Sequence, residues 1–442
     1  MRLTILGGGG FRVPLVYGAL LGDREEGRIT RVTLHDLDGS RLRAVAAVLA
    51  EQSAGVPDAP AVAVTTDLDE ALRGTDFVFS AIRVGGLEGR AADERVALAE
   101  GVLGQETVGA GGIAFGLRTV PVATDIARRI AALAPDAWVI NFTNPAGLVT
   151  EAMSRVLGDR VIGICDSPVG LGRRVARALG ADPGRVGMDY VGLNHLGWLR
   201  GLRVAGRDEL PRLLDDSEAL GSLEEGRLFG AEWLRSLGAI PNEYLHYYYF
   251  NRETVRAYRQ AERTRGAYLR DQQAGFYAEP SLRRWESALA EREATYMAGN
   301  REASGAGERA DGDAESGGYE QVALAVMRAV ARDERATLIL NVRNRTTLSV
   351  LDADAVIEVP CLVDADGAHP YAVDPLPGHA TGLVTAVKAV EREVMTAAES
   401  GSRSAAVRAF ALHPLVDSVT VARRLLDGYT AVHPGLAHLN RK

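Results

Sequence analysis

A thiol and a carboxylate stand side by side at Cys165 and Asp166, directly after the apolar run "VIGI" at 161–164. The chain has one other cysteine, Cys361, so a reducing compartment is expected rather than a disulfide framework. A thiolate is a good ligand for a borderline divalent metal. His195, beside Asn194 in "YVGLNHLGWL" at 190–199, offers a second ligand. Two protein ligands would leave positions open for substrate oxygens and water. Taken singly, a buried cysteine and a histidine in apolar sequence are more often core residues, and that reading stands beside the first.

Four further stretches carry polar groups with a use. "VINFTNPAG" at 139–147 ends an apolar run on Asn141 and Asn144, whose amides either bind sugar hydroxyls or cap a turn. "IPNEYLHYYYF" at 240–250 holds a cluster of tyrosines, either packing surface or a source of a catalytic phenol. In "IRVGGLEGRAADER" at 82–95, Arg83 and Arg90 either bind an anionic substrate or cofactor phosphate or pair with Glu88, Asp93 and Glu94. Near the N-terminus "LTIL" runs into Gly7, Gly8, Gly9 and Gly10. Glycines in a strand-to-helix turn let the backbone approach a pyrophosphate, and the helix N-terminus favours its charge. Asp36, at the end of the next apolar run, is in the right region to accept bonds from a ribose diol and repels a 2′-phosphate, which favours NAD over NADP.

The elements that must position these groups alternate. Strands are expected at 3–6, 32–38, 76–82, 137–145 and 161–166, with helical patterns at 13–21, 40–53 and 120–136 between them. That alternation predicts a parallel sheet with helices on both faces. It fades past about residue 175, which divides the chain into 1–175 and 176–442. The stretch 299–318 has no apolar residue larger than alanine and reads as a mobile loop. Of the 442 residues, 47% are hydrophobic and 24% charged, with a formal charge of −8, so nucleic acid is an unfavourable partner. No run approaches the length of a bilayer span, and the first apolar run is too short for a signal peptide. A cytoplasmic protein without membrane attachment is expected.

In series, "GGGGFRVP", "RVGGLEGRAADE", "GQETVGAGGIAFGLRTVPV", "NFTNPAG", "CDSP", "GLNHLGW", "YLHYYY" and "IEVPC" resemble glycoside hydrolase family 4, most closely its 6-phospho-β-glucosidases. The resemblance covers nearly the whole chain. It implies a Rossmann-type doubly wound parallel sheet followed by an α+β domain, as in lactate and malate dehydrogenases. It also implies an NAD- and divalent-metal-dependent glycosidase, the metal typically manganese, that exempts itself from two-carboxylate hydrolysis. In that chemistry a hydride leaves carbon 3 of the sugar, a base removes the proton on carbon 2, and the glycosidic oxygen leaves from carbon 1. Water then adds and the ketone is reduced back. Carried onto this sequence, Cys165 and His195 match the metal ligands and Tyr244 matches the base, with Tyr247 the next candidate. Asp166 stands where it can protonate the leaving oxygen, and Asn144 matches a substrate-binding amide. Gly7, Gly8, Gly9, Gly10, Asp36 and Arg83 are expected to hold the cofactor, and Arg90, Asn144 and Asn194 the substrate. Relatives are dimers or tetramers, so a homodimer or homotetramer is implied.

Three departures bear on the substrate. Asp follows the cysteine usually in α-acting members and Asn in β-acting ones, yet "GQETVGAGG" and "PNEYLHYYY" look like the β group. Phe11, Arg12 and Val13 replace the hydroxyls usual in the glycine loop, and Glu315 and Ser316 stand where an arginine usually precedes a glycine pair. The favoured substrate is a 6-phospho-β-glucoside. The alternatives are an unphosphorylated or α-linked glycoside and, behind them, net NAD-dependent oxidation of a hydroxy acid.

Overall fold

The computed structural model describes residues 1–309 and 318–440. Its strands are β1 (Arg2–Leu6), β2 (Arg31–His35), β3 (Ala61–Thr65), β4 (Phe77–Ser80), β5 (Trp138–Asn141), β6 (Val161–Gly163), β7 (Val186–Leu193), β8 (Leu196–Val204), β9 (Arg207–Asp208), β10 (Ile240–Pro241), β11 (Ala336–Arg343), β12 (Val356–Asp364) and β13 (Gly367–Pro370). Among the described residues they form one sheet, in the order β10-β8-β7-β12-β11-β6-β5-β4-β1-β2-β3, with β13 on β12 and β9 on β8. The run β3-β2-β1-β4-β5-β6 is parallel throughout, the doubly wound order that binds dinucleotides at its switch point.

Successive residues of these strands face opposite layers. Phe77, Phe79, Ile140 and Ile162 pack with Val16, Leu42 and Val45 of the helices Val13–Leu21 and Gly39–Gln52. Val78, Val139 and Val161 pack on the other face with Ile126, Ile130, Val149 and Met153 of the helices Gly109–Leu133 and Ala146–Leu157. Both faces are therefore covered, which is why the strands read as unbroken apolar runs. The sheet crosses residue 175 without a break, because β6 pairs antiparallel with β11 at Gly163 and Asn341. A Cβ on Gly163 would lie 2.4 Å from Thr150 Oγ1, so only glycine fits the seam.

The structure differs from expectation in three places. The helix expected from 120 begins at Gly109. Its poor helix formers serve close packing: a Cβ on Gly111 would lie 2.3 Å from the Gln105 carbonyl oxygen. Strand β3 was hidden because it lies at the sheet edge with little of it buried. The stretch expected as a loop starts as the helix Ala298–Ser304. Its polarity is used inside the protein, where Asn300 bonds His246 Nδ1 at 3.0 Å and Tyr258 Oη at 3.1 Å. Residues 310–317, including Glu315 and Ser316, lie outside the described residues.

Candidate active site

The parallel strands deliver their polar ends to one edge of the sheet. After β1, Gly7 takes φ +79°, in the left-handed region that favours glycine, and a Cβ there would lie 2.5 Å from the Ala81 carbonyl oxygen. A Cβ on Gly8 would lie 2.7 Å from Leu34 Cβ, on Gly9 2.8 Å from Arg41 Cβ, and on Gly10 2.8 Å from the Gly7 oxygen. Gly9 N donates to Asp36 Oδ2 at 3.1 Å and Asp38 N to Asp36 Oδ1 at 3.1 Å, so the acid after β2 is held by backbone with lone pairs to spare. Gly7, Gly10, Asp36 and Arg83 line one groove of about 740 Å³. Arg83 follows β4 and pairs with Glu106 at 2.7 Å.

A second cavity opens beside this groove, and Arg12, Arg83, Phe142, Asn144 and Arg292 line both. Cys165 enters it from the end of β6, Asn144 from the end of β5, and Asn194 and His195 from the two-residue turn between β7 and β8. His195 sits at φ +60°, a conformation costing a non-glycine residue on the order of 1 kcal/mol and found at functional sites. Its Nδ1 is 2.8 Å from Thr107 Oγ1, and its ring stacks on Tyr244 with centroids 3.6 Å apart. Burial pushes His195 down to about 3, so the imidazole is neutral; with Nδ1 donating to Thr107, Nε2 carries the lone pair.

Burial, then the charges of Glu358 and Asp166, push the Cys165 thiol well above its usual value. A cation at the sulfur would reverse that balance. Asn144 Oδ1 is buried and, among the described residues, has no hydrogen-bond partner. Among the described residues no group of three or more His, Cys, Asp or Glu side chains is arranged around a metal position. Sulfur, imidazole nitrogen and amide oxygen on one cavity therefore fit a divalent cation that keeps open positions, not a closed structural site.

Tyr244 lines the same cavity, against the His195 ring. Asn242 Oδ1 accepts Tyr244 N at 3.0 Å and sets the turn. Tyr296 Oη lies 3.1 Å from Tyr244 Oη and 3.2 Å from Glu243 Oε1, which also accepts Ser167 Oγ at 2.7 Å. Burial, then Glu243, hold the Tyr244 phenol well above its usual value in this state. Tyr247 points elsewhere: its hydroxyl lies 3.2 Å from Tyr258 Oη and 3.4 Å from Met297 Sδ, in a neighbouring cavity.

Charge around the cavity is mostly paired. Arg12 lies 3.7 Å from Asp166 Oδ2 and 3.5 Å from Glu293. Arg90 is buried between Glu94 and Glu106, both at 2.9 Å. Asn194 donates to Glu358 at 3.1 Å, and Asn341 and Tyr190 donate to the same carboxylate at 2.9 and 3.1 Å. Arg292 is different: among the described residues its guanidinium makes no hydrogen bond or ion pair, and it faces the groove, the cavity and the tyrosine-lined cavity beyond. Burial, then Arg12, Arg265 and Arg90, push it down to about 9. Sequence reasoning missed Thr107, Tyr296, Glu243 and Arg292. Only Thr107 and Glu243 lay in stretches already singled out; Tyr296 and Arg292 carry no local signal.

Comparisons with known proteins agree across the chain. Residues 2–181 match the family 4 glycosyl hydrolase model and residues 190–416 the family 4 glycosyl hydrolase C-terminal domain. A protein of Bacillus subtilis (strain 168) named "Probable 6-phospho-beta-glucosidase" is 32% identical, over 98% of this chain and 96% of its own. A 6-phospho-alpha-glucosidase 1 of Lacticaseibacillus paracasei is 30% identical, over 96% and 95%. The crystal structure of the 6-phospho-beta glucosidase from Thermotoga maritima with manganese, NAD+ and glucose-6-phosphate superposes with a TM-score of 0.83, at 27% identity and 98% coverage of each chain.

Proposed function

The chain belongs to the family 4 glycosyl hydrolases, and we propose that it is an NAD- and divalent-metal-dependent glycosidase acting on 6-phospho-glycosides, β-linked ones first. The observation that carries this reading is one cavity, open to the glycine-lined groove, that collects Cys165, His195, Asn144, Asp166 and Tyr244. Gly7, Gly8, Gly9, Gly10, Asp36 and Arg83 hold NAD, and Cys165, His195 and Asn144 hold the cation, manganese in the first instance. When bound, these groups supply a reversible hydride acceptor for carbon 3 and positive charge for the oxygens on carbons 2 and 3.

The protein's own residues do the rest. Tyr244 removes the proton on carbon 2, and the Tyr296 hydroxyl, 3.1 Å from its oxygen, holds that oxygen in place. A cation near Tyr244 favours the phenolate against the burial that opposes it. Asp166 protonates the departing oxygen, kept in position by Arg12 at 3.7 Å. Thr107 fixes the His195 ring, and Glu358 fixes Asn194 at the sugar. Arg292, with no ion pair among the described residues and beside Arg12, Arg90 and Arg265, supports an anionic substituent on the substrate, for which a phosphate is the family's choice. Asp166 after the cysteine is the α-type feature and "PNEYLHYYY" the β-type one, and relatives carry both names. Residues 1–175 serve the nucleotide and 176–442 complete the sugar site. A homodimer or homotetramer in the cytoplasm is the expected working form; among the described residues no helix is long and apolar enough to cross a membrane.

The test is a screen of nitrophenyl glycosides, α and β, with and without a 6-phosphate, with NAD, manganese and reductant. Aglycone release that needs both additions and builds up no NADH is expected. Stoichiometric NADH would turn the assignment to a net dehydrogenase. Cys165→Ser should weaken manganese binding and remove turnover; activity that survives chelation would contradict the metal assignment.

A further inference from the structure

Asp166 immediately precedes the helix Ser167–Ala178 without capping it, and Ser167 and Arg174 of that helix line the cavity with it. Glu243 and Glu224, 4% and 2% exposed, line the same cavity. Glu243 Oε1 is saturated by Ser167 and Tyr296, but its Oε2 is buried and, among the described residues, has no hydrogen bond. Glu224 Oε2 lies 3.5 Å from Arg309; its Oε1, 4.0 Å from Arg301, is also buried and, among the described residues, has no hydrogen bond. Leaving a buried acceptor unsatisfied costs about 1–3 kcal/mol. Two such oxygens on one cavity wall ask for donors from a ligand.

Position says which part of a ligand brings them. In the proposed reaction Asp166 reaches the glycosidic oxygen, so the leaving group lies beside Asp166. Ser167, the next residue, donates to Glu243 at 2.7 Å, and Glu243 and Glu224 line the same cavity as Asp166. The neighbouring cavity, with Tyr247, Tyr258, Tyr268 and Met297, suits an aromatic group, but neither Asp166, Cys165 nor His195 lines it. We propose that Glu224 and Glu243 form a hydroxyl-binding subsite for a polyhydroxylated leaving group, a second sugar, next to Asp166. This rests on the glycosidase reading above. Burial and Glu225 push Glu224 up to about 7, so near neutrality it can also donate to a hydroxyl.

The test uses the NAD- and manganese-loaded protein and two substrates with the same phosphorylated glycone, one carrying glucose and one phenol as leaving group. Glu224→Ala should lower kcat/KM on the disaccharide by about tenfold or more, the worth of a hydrogen bond to a charged group. The loss on the phenyl glycoside should be at least fivefold smaller, with Glu224→Gln intermediate on the disaccharide. Equal losses on the two substrates, in variants that melt like the parent, overturn the proposal. Saturation-transfer NMR with free glucose gives a second arm that needs no turnover. A signal from the parent that is lost in Glu224→Ala supports the subsite, and no signal from the parent overturns it. If neither substrate is cleaved by the parent, the glycosidase reading fails, and the glucose arm still decides the subsite.

Discussion

The nucleotide groove and the cavity beside it share one edge of the sheet but are built differently. The groove is a backbone object. Gly7, Gly8, Gly9 and Gly10 work by lacking side chains, each with a neighbour within 2.5–2.8 Å of where a Cβ would stand. Asp36 is held by the amides of Gly9 and Asp38, near neighbours in the chain or the sheet. The cavity is a side-chain object assembled over long distances in sequence: Thr107 on His195, His195 on Tyr244, Tyr244 on Tyr296, Glu243 on Ser167. A local motif can announce the first kind of site. The second exists only once β6, the β7–β8 turn and the helices around 244–304 have been brought together.

The contrast can be broken from either side. The largest effect is expected in the cavity. Tyr244→Phe should lower turnover about 10²–10⁴-fold, the range of a lost general base, while NAD affinity stays within about twofold. An equal fall in NAD affinity would show that the two regions are not separable. Next comes the groove: Gly7→Ala should cost about 1–3 kcal/mol of stability and weaken NAD binding, read by thermal melting and nucleotide titration, because φ +79° and the Ala81 oxygen both oppose a side chain.

A smaller effect sharpens the account of how the cavity is held. Thr107→Val removes the partner of His195 Nδ1 and should weaken manganese binding about 10–100-fold without changing NAD affinity. The smallest concerns the charge behind the site. Burial pushes Glu358 up from 4.5 to about 7, against the hydrogen bonds from Asn194, Asn341 and Tyr190. The folded protein then holds that proton more tightly than the unfolded chain between those two values, so the stabilisation is complete below the lower and lost as pH rises through the upper. Glu358→Gln should flatten this dependence: its melting temperature should gain on the parent's as pH rises from about 5 to about 8. Parallel curves would mean that Glu358 is ionised throughout.

What the sequence revealed follows the same division. The glycine loop, Asp36 and the alternating elements were legible because each signal is local and periodic, and the parallel order bears the alternation out. The tight helix start at Gly109 was not, since its glycines answer to the backbone of residues 104–107 rather than to their own helical preference. Nor was the polar helix Ala298–Ser304, whose Asn300 finds its partners on His246 and Tyr258. Cys165 and His195 were raised by their chemistry, and with Asp166 and Tyr244 received definite roles only through a family resemblance. Spacing alone left each of them open to a bland reading. Arg292 had neither kind of signal, because what marks it is burial beside Arg12, Arg90 and Arg265, which come from three other segments of the chain.

The proposed function comes down to an elimination in which carbon 2 of the sugar loses its proton, in place of direct displacement at carbon 1. Running the reaction in deuterated water and reading the released sugar by NMR tests that step alone. Deuterium at carbon 2 in the product of the parent protein, and none in whatever Tyr244→Phe releases, is the predicted result. Released sugar from the parent that keeps its original hydrogen at carbon 2, with deuterium entering only through hydroxyl exchange, would contradict it.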